Sequence, residues 1–177
     1  MSGHTTSASA DTESDKESDL RVELRAPRLD DGGALWRITR DTKVLDLNSS
    51  YTYLLWCRDF AQTSVVAVVR GEIGGFITGF LRPDRPDTLM VWQVAVDAEH
   101  RGRHLALRML DALADRVSQR SVRRMETTIT ADNEASVRLF SSFAEARGAH
   151  LEQEPVFAAE LFPDGHDTEL LFRIGPW

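Results

Sequence analysis

The stretch Asp87–Val117, DTLMVWQVAVDAEHRGRHLALRMLDALADRV, constrains the fold more than any other part of the chain. From Thr88 to Val96 it is apolar in both alternating sets. Leu89, Val91 and Ala95 fall on one face, and Met90, Trp92, Val94 and Val96 on the other. That pattern predicts a central strand covered on both sides. After Arg101-Gly102-Arg103 the period changes, and Ala106, Met109, Leu110, Leu113 and Val117 share one helical stripe. The first N–H groups of such a helix have no internal partner and sit at the positive end of its dipole. A strand feeding a helix through a basic, glycine-containing turn can therefore hold a phosphate. An ordinary crossover with a solvated arginine pair has the same outline.

The other segments read in order as follows. Leu20–Arg25 alternates as a half-buried strand, and Asp30-Asp31-Gly32-Gly33 starts a helix to about Thr39. Asn48 or Ser49 caps a second helix, Tyr51–Phe60. Ser64–Val69 and Ile73–Leu81 form a hairpin through Arg70-Gly71-Glu72. Beyond the central unit come a strand at Arg124–Ile129 and a helix capped by Asp132-Asn133 and running to about Ala146. Two final strands, Leu151–Pro155 and Thr168–Ile174, enclose a loop over Glu160–Asp167. This order predicts an α/β (α+β layered) fold, a mixed central β-sheet flanked by helices on both faces.

The 177 residues suit one domain over 21–177. Residues 1–20 are rich in Ser, Thr, Asp and Glu and read as a disordered acidic tail. That tail holds most of the net charge of −7 and leaves the domain only mildly acidic. Without a basic excess, nucleic acid is not an expected partner. There is no apolar run long enough to span a bilayer and no apolar leader at the N-terminus, so no membrane is expected. A single cysteine, Cys57, excludes an internal disulfide and fits the reducing cytoplasm. Its apolar neighbours make it a core residue and not a nucleophile. No Cys/His cluster has zinc spacing, so no metal is expected.

The strand, Val94-Ala95-Val96, and then Arg101-Gly102-Arg103-His104-Leu105-Ala106 at a helix start resemble the acetyl-CoA-binding segment of the GNAT N-acetyltransferases. The family pattern is Gln/Arg-x-x-Gly-x-Gly/Ala, and His104 replaces its central glycine. Asn133-Glu134-Ala135-Ser136-Val137-Arg138-Leu139-Phe140 resembles the family's Asn-x-x-Ser/Ala-x-x-Leu-Tyr. The resemblance implies that Asn133 contacts the cofactor arm, and a plain helix cap is the other reading. Phe140 stands where many members have a tyrosine general acid, and it has no proton to give.

Three further stretches narrow the resemblance. Leu45-Asp46-Leu47-Asn48-Ser49-Ser50-Tyr51, Arg85–Gln93 and His166-Asp167-Thr168-Glu169 together resemble the L-2,4-diaminobutyrate acetyltransferases of ectoine biosynthesis. The resemblance implies that Asp46, Trp92 and Glu169 hold the diamino acid, that Tyr51 and His166 share the pocket, and that the enzyme is a homodimer. Carboxylates suit a substrate with two ammonium groups. Trp92 can pack on the aliphatic stem or face a cation. His166 can move a proton near neutral pH, and so could a carboxylate. Backbone N–H groups at Val94–Val96 would stabilise the oxyanion. Taken singly, each residue also has a structural reading: Trp92 as core, Asp46 as a cap, His166 and Glu169 as loop surface. Arg82 and Arg85 could bind the substrate carboxylate, the cofactor phosphates, or neither. A GNAT enzyme for another amine, and a non-catalytic acyl-CoA sensor, remain open at this point.

Overall fold

A computed structural model describes residues 22–177; the acidic tail and the first residues of the expected opening strand lie outside the described residues. The described residues form seven strands and four α-helices. In chain order they are β1 (Val22–Arg25), α1 (Gly32–Thr42), α2 (Ser50–Asp59), β2 (Val65–Val69), β3 (Glu72–Leu81), β4 (Thr88–Val96), α3 (Leu105–Ser118), β5 (Arg124–Thr130), α4 (Glu134–Ala146), β6 (Leu151–Phe157) and β7 (Glu169–Ile174). They make one sheet in the order β1-β2-β3-β4-β5-β7-β6. Every neighbouring pair is antiparallel except β4 and β5. The expected order of elements and the mixed sheet are both present.

Two cores lie on opposite faces of the sheet. Leu35 and Ile38 of α1 and Tyr53 and Cys57 of α2 pack against Val66, Phe76 and Ala95. Met109, Leu110 and Leu113 of α3 and Phe140 and Phe143 of α4 pack against Ala67, Val91, Met125 and Phe172. Full burial of each such side chain is worth about 1.5–3 kcal/mol. The buried stripe of α3 runs through Leu105, Met109, Leu110, Leu113, Ala114 and Val117. Ala106, expected on that stripe, is half-buried and sits on a cavity wall instead.

Local signals acted largely as read. The β2–β3 hairpin closes through Arg70 and Gly71, both at positive φ (53° and 85°), the two-residue turn that matches strand twist. Helix α1 runs three residues past its expected end. Ser49 takes the N-cap position of α2 in extended conformation, with its hydroxyl 3.1 Å from that of Thr52.

Strand β4 departs from simple alternation. Its register with β3 passes from Thr78↔Gln93 to Gly79↔Val91, so Trp92 is an extra residue, a β-bulge. The bulge exchanges the faces of the strand. Leu89 and Val91 lie in the α3/α4 core, and Val94 and Val96 pack beside it. Trp92 meets Trp56 of α2, and Ala95 joins the α1/α2 core. The strict two-face assignment is therefore corrected after Val91. The expectation of cover on both sides also fails at Trp92, which is 52% exposed.

Side chains secure the bulge from behind. Thr63 Oγ1 donates to the Gly79 carbonyl (2.6 Å), and the Gly79 N–H donates to Ser64 Oγ (3.3 Å). A Cβ at Gly79 would lie 2.8 Å from the Met90 carbonyl and 3.0 Å from that of Thr63, both rigid backbone. Gly79→Ala is expected to lower stability by about 1–3 kcal/mol in urea unfolding, the usual cost of forcing a methyl group into packed structure.

Candidate active site

Strands β4 and β5 pair only over Thr88–Met90 and Arg124–Glu126. Beyond that they separate, and β4 keeps a neighbour only on its β3 side. The resulting wedge opens at the sheet's middle. The Asp97 N–H donates to the Gly74 carbonyl on β3 (2.9 Å). Strand alternation then turns the N–H groups of Ala95 and Asp97 toward β3 and those of Val94 and Val96 into the wedge. Two of the three residues expected to polarise a carbonyl thus present N–H groups to it, and Ala95 does not.

On one side of Val96 lies a cavity of about 500 Å³, walled by Arg101, Gly102, His104, Leu105 and Ala106 and by Leu139 of α4. Gly102 and His104 both have positive φ (76° and 54°). His104 thus takes the left-handed backbone that a glycine would adopt most cheaply, and the turn keeps its shape with a side chain present. The Arg108 N–H closes the first turn onto the His104 carbonyl (3.0 Å). The N–H groups of Leu105, Ala106 and Leu107 precede that bond and are free for an anion. The turn is fastened from behind by Arg37, which donates to Asp97 (2.8 Å). These residues fit a pyrophosphate. Arg103, also expected there, is exposed and off the cavity wall.

On the other side lies a cavity of about 400 Å³ lined by Asp46, Trp92, Gln93, Asn133, His166 and Glu169, among others. Four of the five residues expected around a diamino acid are brought together here. Tyr51 is not: it lies in the first turn of α2, 63% exposed and off this wall. Asn133 caps α4, its side chain accepting from the Ser136 N–H (3.1 Å), and it also borders the cavity. The helix-cap reading is thus observed, and Asn133 does not line the cavity beside the α3 turn. Phe140 is buried in the α3/α4 core and takes no part.

The charged groups cluster tightly. His166 Nε2 lies 3.6 Å from Glu169 Oε1 and 3.9 Å from Asp46 Oδ2. His166 Nδ1 bonds the Asp167 carbonyl (2.8 Å), and the ring packs on Phe162. That carbonyl, with the carboxylates of Glu169, Asp46 and Asp164, holds the His166 pKa above its ordinary value. The Glu169 side chain is 16% exposed, and its Oε2 is buried without a hydrogen-bond partner. Burial pushes the Glu169 pKa up, against the opposing effects of Thr128 and His166. An unsatisfied buried carboxylate oxygen is costly, and an ammonium group would satisfy it.

Other candidates are placed elsewhere. Arg82 and Arg85 both bind Glu126 at 2.8 Å, on β5 at the closed end of the wedge, and neither lines the two cavities. Cys57 is buried and its thiol is pushed up to about 11, which leaves it unreactive. Gln93, Asn48, Thr128 and Phe162 line the substrate-side cavity and were missed in the sequence. Gln93 alone had a visible signal, as a polar residue inside an apolar strand. Among the described residues no cluster of acids, His or Cys is poised for a metal ion, and no helix is long and apolar enough to cross a membrane.

The raised Glu169 pKa carries a stability consequence. The folded state binds this proton more tightly than the unfolded chain, so ionisation costs stability as pH rises from the ordinary glutamate value through the folded one. Glu169→Gln is expected to raise Tm at about pH 8 and to leave it nearly unchanged at about pH 4, measured by thermal scans.

The family model "Acetyltransferase (GNAT) family" matches residues 33–144. The L-2,4-diaminobutyric acid acetyltransferase of Streptomyces coelicolor is 61% identical over 165 residues, covering 90% of this chain and 95% of the relative. The enzyme of the same name from Bordetella parapertussis is 46% identical, covering 90% and 87%. The diaminobutyrate acetyltransferase of Paenibacillus lautus, solved with its substrate L-2,4-diaminobutyric acid and coenzyme A, superposes with a TM-score of 0.84 at 43% identity, covering 88% of this chain and 95% of that one. With the wedge, the anion-binding turn and the acidic cavity in place, the chain belongs to the GNAT acetyltransferase family, within the group of its diaminobutyrate acetyltransferase relatives.

Proposed function

We propose that this protein transfers the acetyl group of acetyl-CoA to the γ-amino group of L-2,4-diaminobutyrate, giving N4-acetyl-L-2,4-diaminobutyrate. The observation that carries the reading is one cavity that gathers Asp46, Trp92, His166 and the largely buried Glu169 carboxylate. A diamino acid brings two ammonium groups to these carboxylates, and Trp92 offers a flat apolar wall for its stem. The turn from Arg101 to Ala106 binds the pyrophosphate, with Asn133 beside the cofactor arm.

The two cavities flank the wedge, so amine and thioester meet beside the N–H groups of Val94 and Val96. Those groups hold the carbonyl oxygen as it gains charge. The amine attacks directly, without an acyl-enzyme. It must first lose a proton, since a free alkyl amine titrates near about 10.4. Glu169 or His166 receives that proton, singly or as a pair. The proton for the departing thiolate comes from another source than Phe140.

The proposal extends to ectoine synthesis under osmotic stress, in the cytoplasm, by a homodimer. The resemblance supports this extension, and the outward apolar side chains of Leu47, Tyr51 and Leu54 support the dimer.

The test mixes protein, acetyl-CoA and L-2,4-diaminobutyrate, follows thiol release and identifies the acetylated nitrogen by NMR. Turnover at the γ-nitrogen is expected. Glu169→Ala is expected to lower kcat/KM about 100-fold, the loss of one desolvated charge pair of ~3 kcal/mol. His166→Ala is expected to lower it about 100-fold, at the modest end of proton-transfer effects of about 10²–10⁴-fold. In the wild type, kcat/KM is expected to fall on the acid side through a pKa above that of an ordinary glutamate, because burial raises Glu169. Acetyl-CoA binding without turnover of diaminobutyrate would contradict the reading.

A further inference from the structure

The loop between α1 and α2 carries Asp46 to the cavity, yet the Asp46 side chain does little to hold itself there. Its carboxylate is 90% exposed and comes within only 3.9 Å of His166 Nε2, too far for a hydrogen bond. Its main chain is held instead. Gln93 Nε2 donates to the Asp46 carbonyl at 3.0 Å, across 47 residues of sequence. Gln93 is itself oriented from the other end, where the Tyr53 hydroxyl donates to Gln93 Oε1 at 3.3 Å.

This chain of contacts is built on rigid parts. Tyr53 is wholly buried, its ring edge-on to Phe76 at 6.3 Å. The Asp46 carbonyl can only accept, so the amide end facing it is the NH₂, and the oxygen end is left to receive the Tyr53 phenol proton. Gln93 follows Trp92 at the bulge, and both residues line the cavity. The bulge turns Gln93 toward α2; regular alternation after Val91 would have turned it toward α3 and α4.

We infer that Gln93, oriented by Tyr53, is a positioning residue that ties the Asp46 loop to the β4 bulge and so sets the substrate-holding wall opposite Glu169. The inference rests on the diaminobutyrate reading above and adds to it the residues that place Asp46. Gln93 acts through the Asp46 main chain and transfers no proton. Its loss lets the loop drift and weakens the grip on the substrate ammonium. The acetyl-CoA cavity, walled by the α3 turn and α4, is left unchanged.

The test is a kinetic double-mutant cycle on the full chain. Gln93→Met keeps the side-chain length and removes both hydrogen bonds. It is expected to raise KM for L-2,4-diaminobutyrate about tenfold, with KM for acetyl-CoA changed less than about twofold. In an Asp46→Ala background the same substitution is expected to add less than about twofold: the main-chain bond to residue 46 persists, but the carboxylate that it positions is gone. Tyr53→Phe is expected to give a smaller rise, about threefold, absorbed in the same way by Gln93→Met. It runs the cycle by itself if Gln93→Met does not fold. Losses that multiply independently in the double variants, an unchanged diaminobutyrate KM, or an equal rise in both KM values would overturn the inference while wild-type turnover leaves the parent reading intact. Wild-type protein that acetylates no diaminobutyrate overturns both.

Discussion

The parting of β4 from β5 after Met90 is the constraint on which the rest depends. A continuous parallel ladder would close the sheet and pair the backbone of β4 on both edges. Here pairing stops after three registers, and the bulge at Trp92 falls just beyond the last of them. The two irregularities work together. The wedge exposes the Val94 and Val96 N–H groups, and the bulge turns Trp92 and Gln93 to the substrate side. The Thr63 and Ser64 hydroxyls satisfy the Gly79 backbone groups on the side of β3 away from β4, just before β2 begins, so the strand opposite the bulge is held from behind.

Charge is partitioned along the same line. At the closed end, Glu126 is nearly fully buried and gathers Arg82, Arg85 and Arg173. Those cations compensate the charge of a buried carboxylate. At the open end the acids outnumber the cations: Asp46, Asp164 and Glu169 surround His166. A site for a substrate bearing two ammonium groups needs such an excess. The anion-binding side uses a different device, free N–H groups at the α3 terminus, so the two substrates are drawn to opposite sides of one strand.

Much of this was legible in the sequence, because periodicity reports burial. The element order, the strand–turn–helix unit, the hairpin at Arg70-Gly71 and the cap at Asn133 follow from local patterns, and the structure contains each. The faces of β4 were not legible beyond Val91, since a bulge is a property of strand pairing and leaves alternation in the sequence unmarked. Ala106 was read as core because small apolar residues fit a stripe and a cavity wall equally well. Asp46, Trp92, His166 and Glu169 were found through resemblance, not spacing; they lie on three separate segments that only the fold brings together. Tyr51 came by the same route and faces solvent in the single chain. Arg82 and Arg85 looked available for anions until Glu126 was placed between them. His104 departs from the family's glycine in chemistry but not in backbone conformation, which only dihedral angles reveal.

A crystal structure of this protein with L-2,4-diaminobutyrate and coenzyme A would test the central claim most directly. The account predicts the γ-nitrogen in the wedge, about 3.5 Å from the coenzyme sulfur, with an ammonium group on the Glu169 carboxylate and the pyrophosphate on the N–H groups that open α3. A diamino acid bound away from Glu169, or one whose γ-nitrogen points out of the wedge, would contradict it.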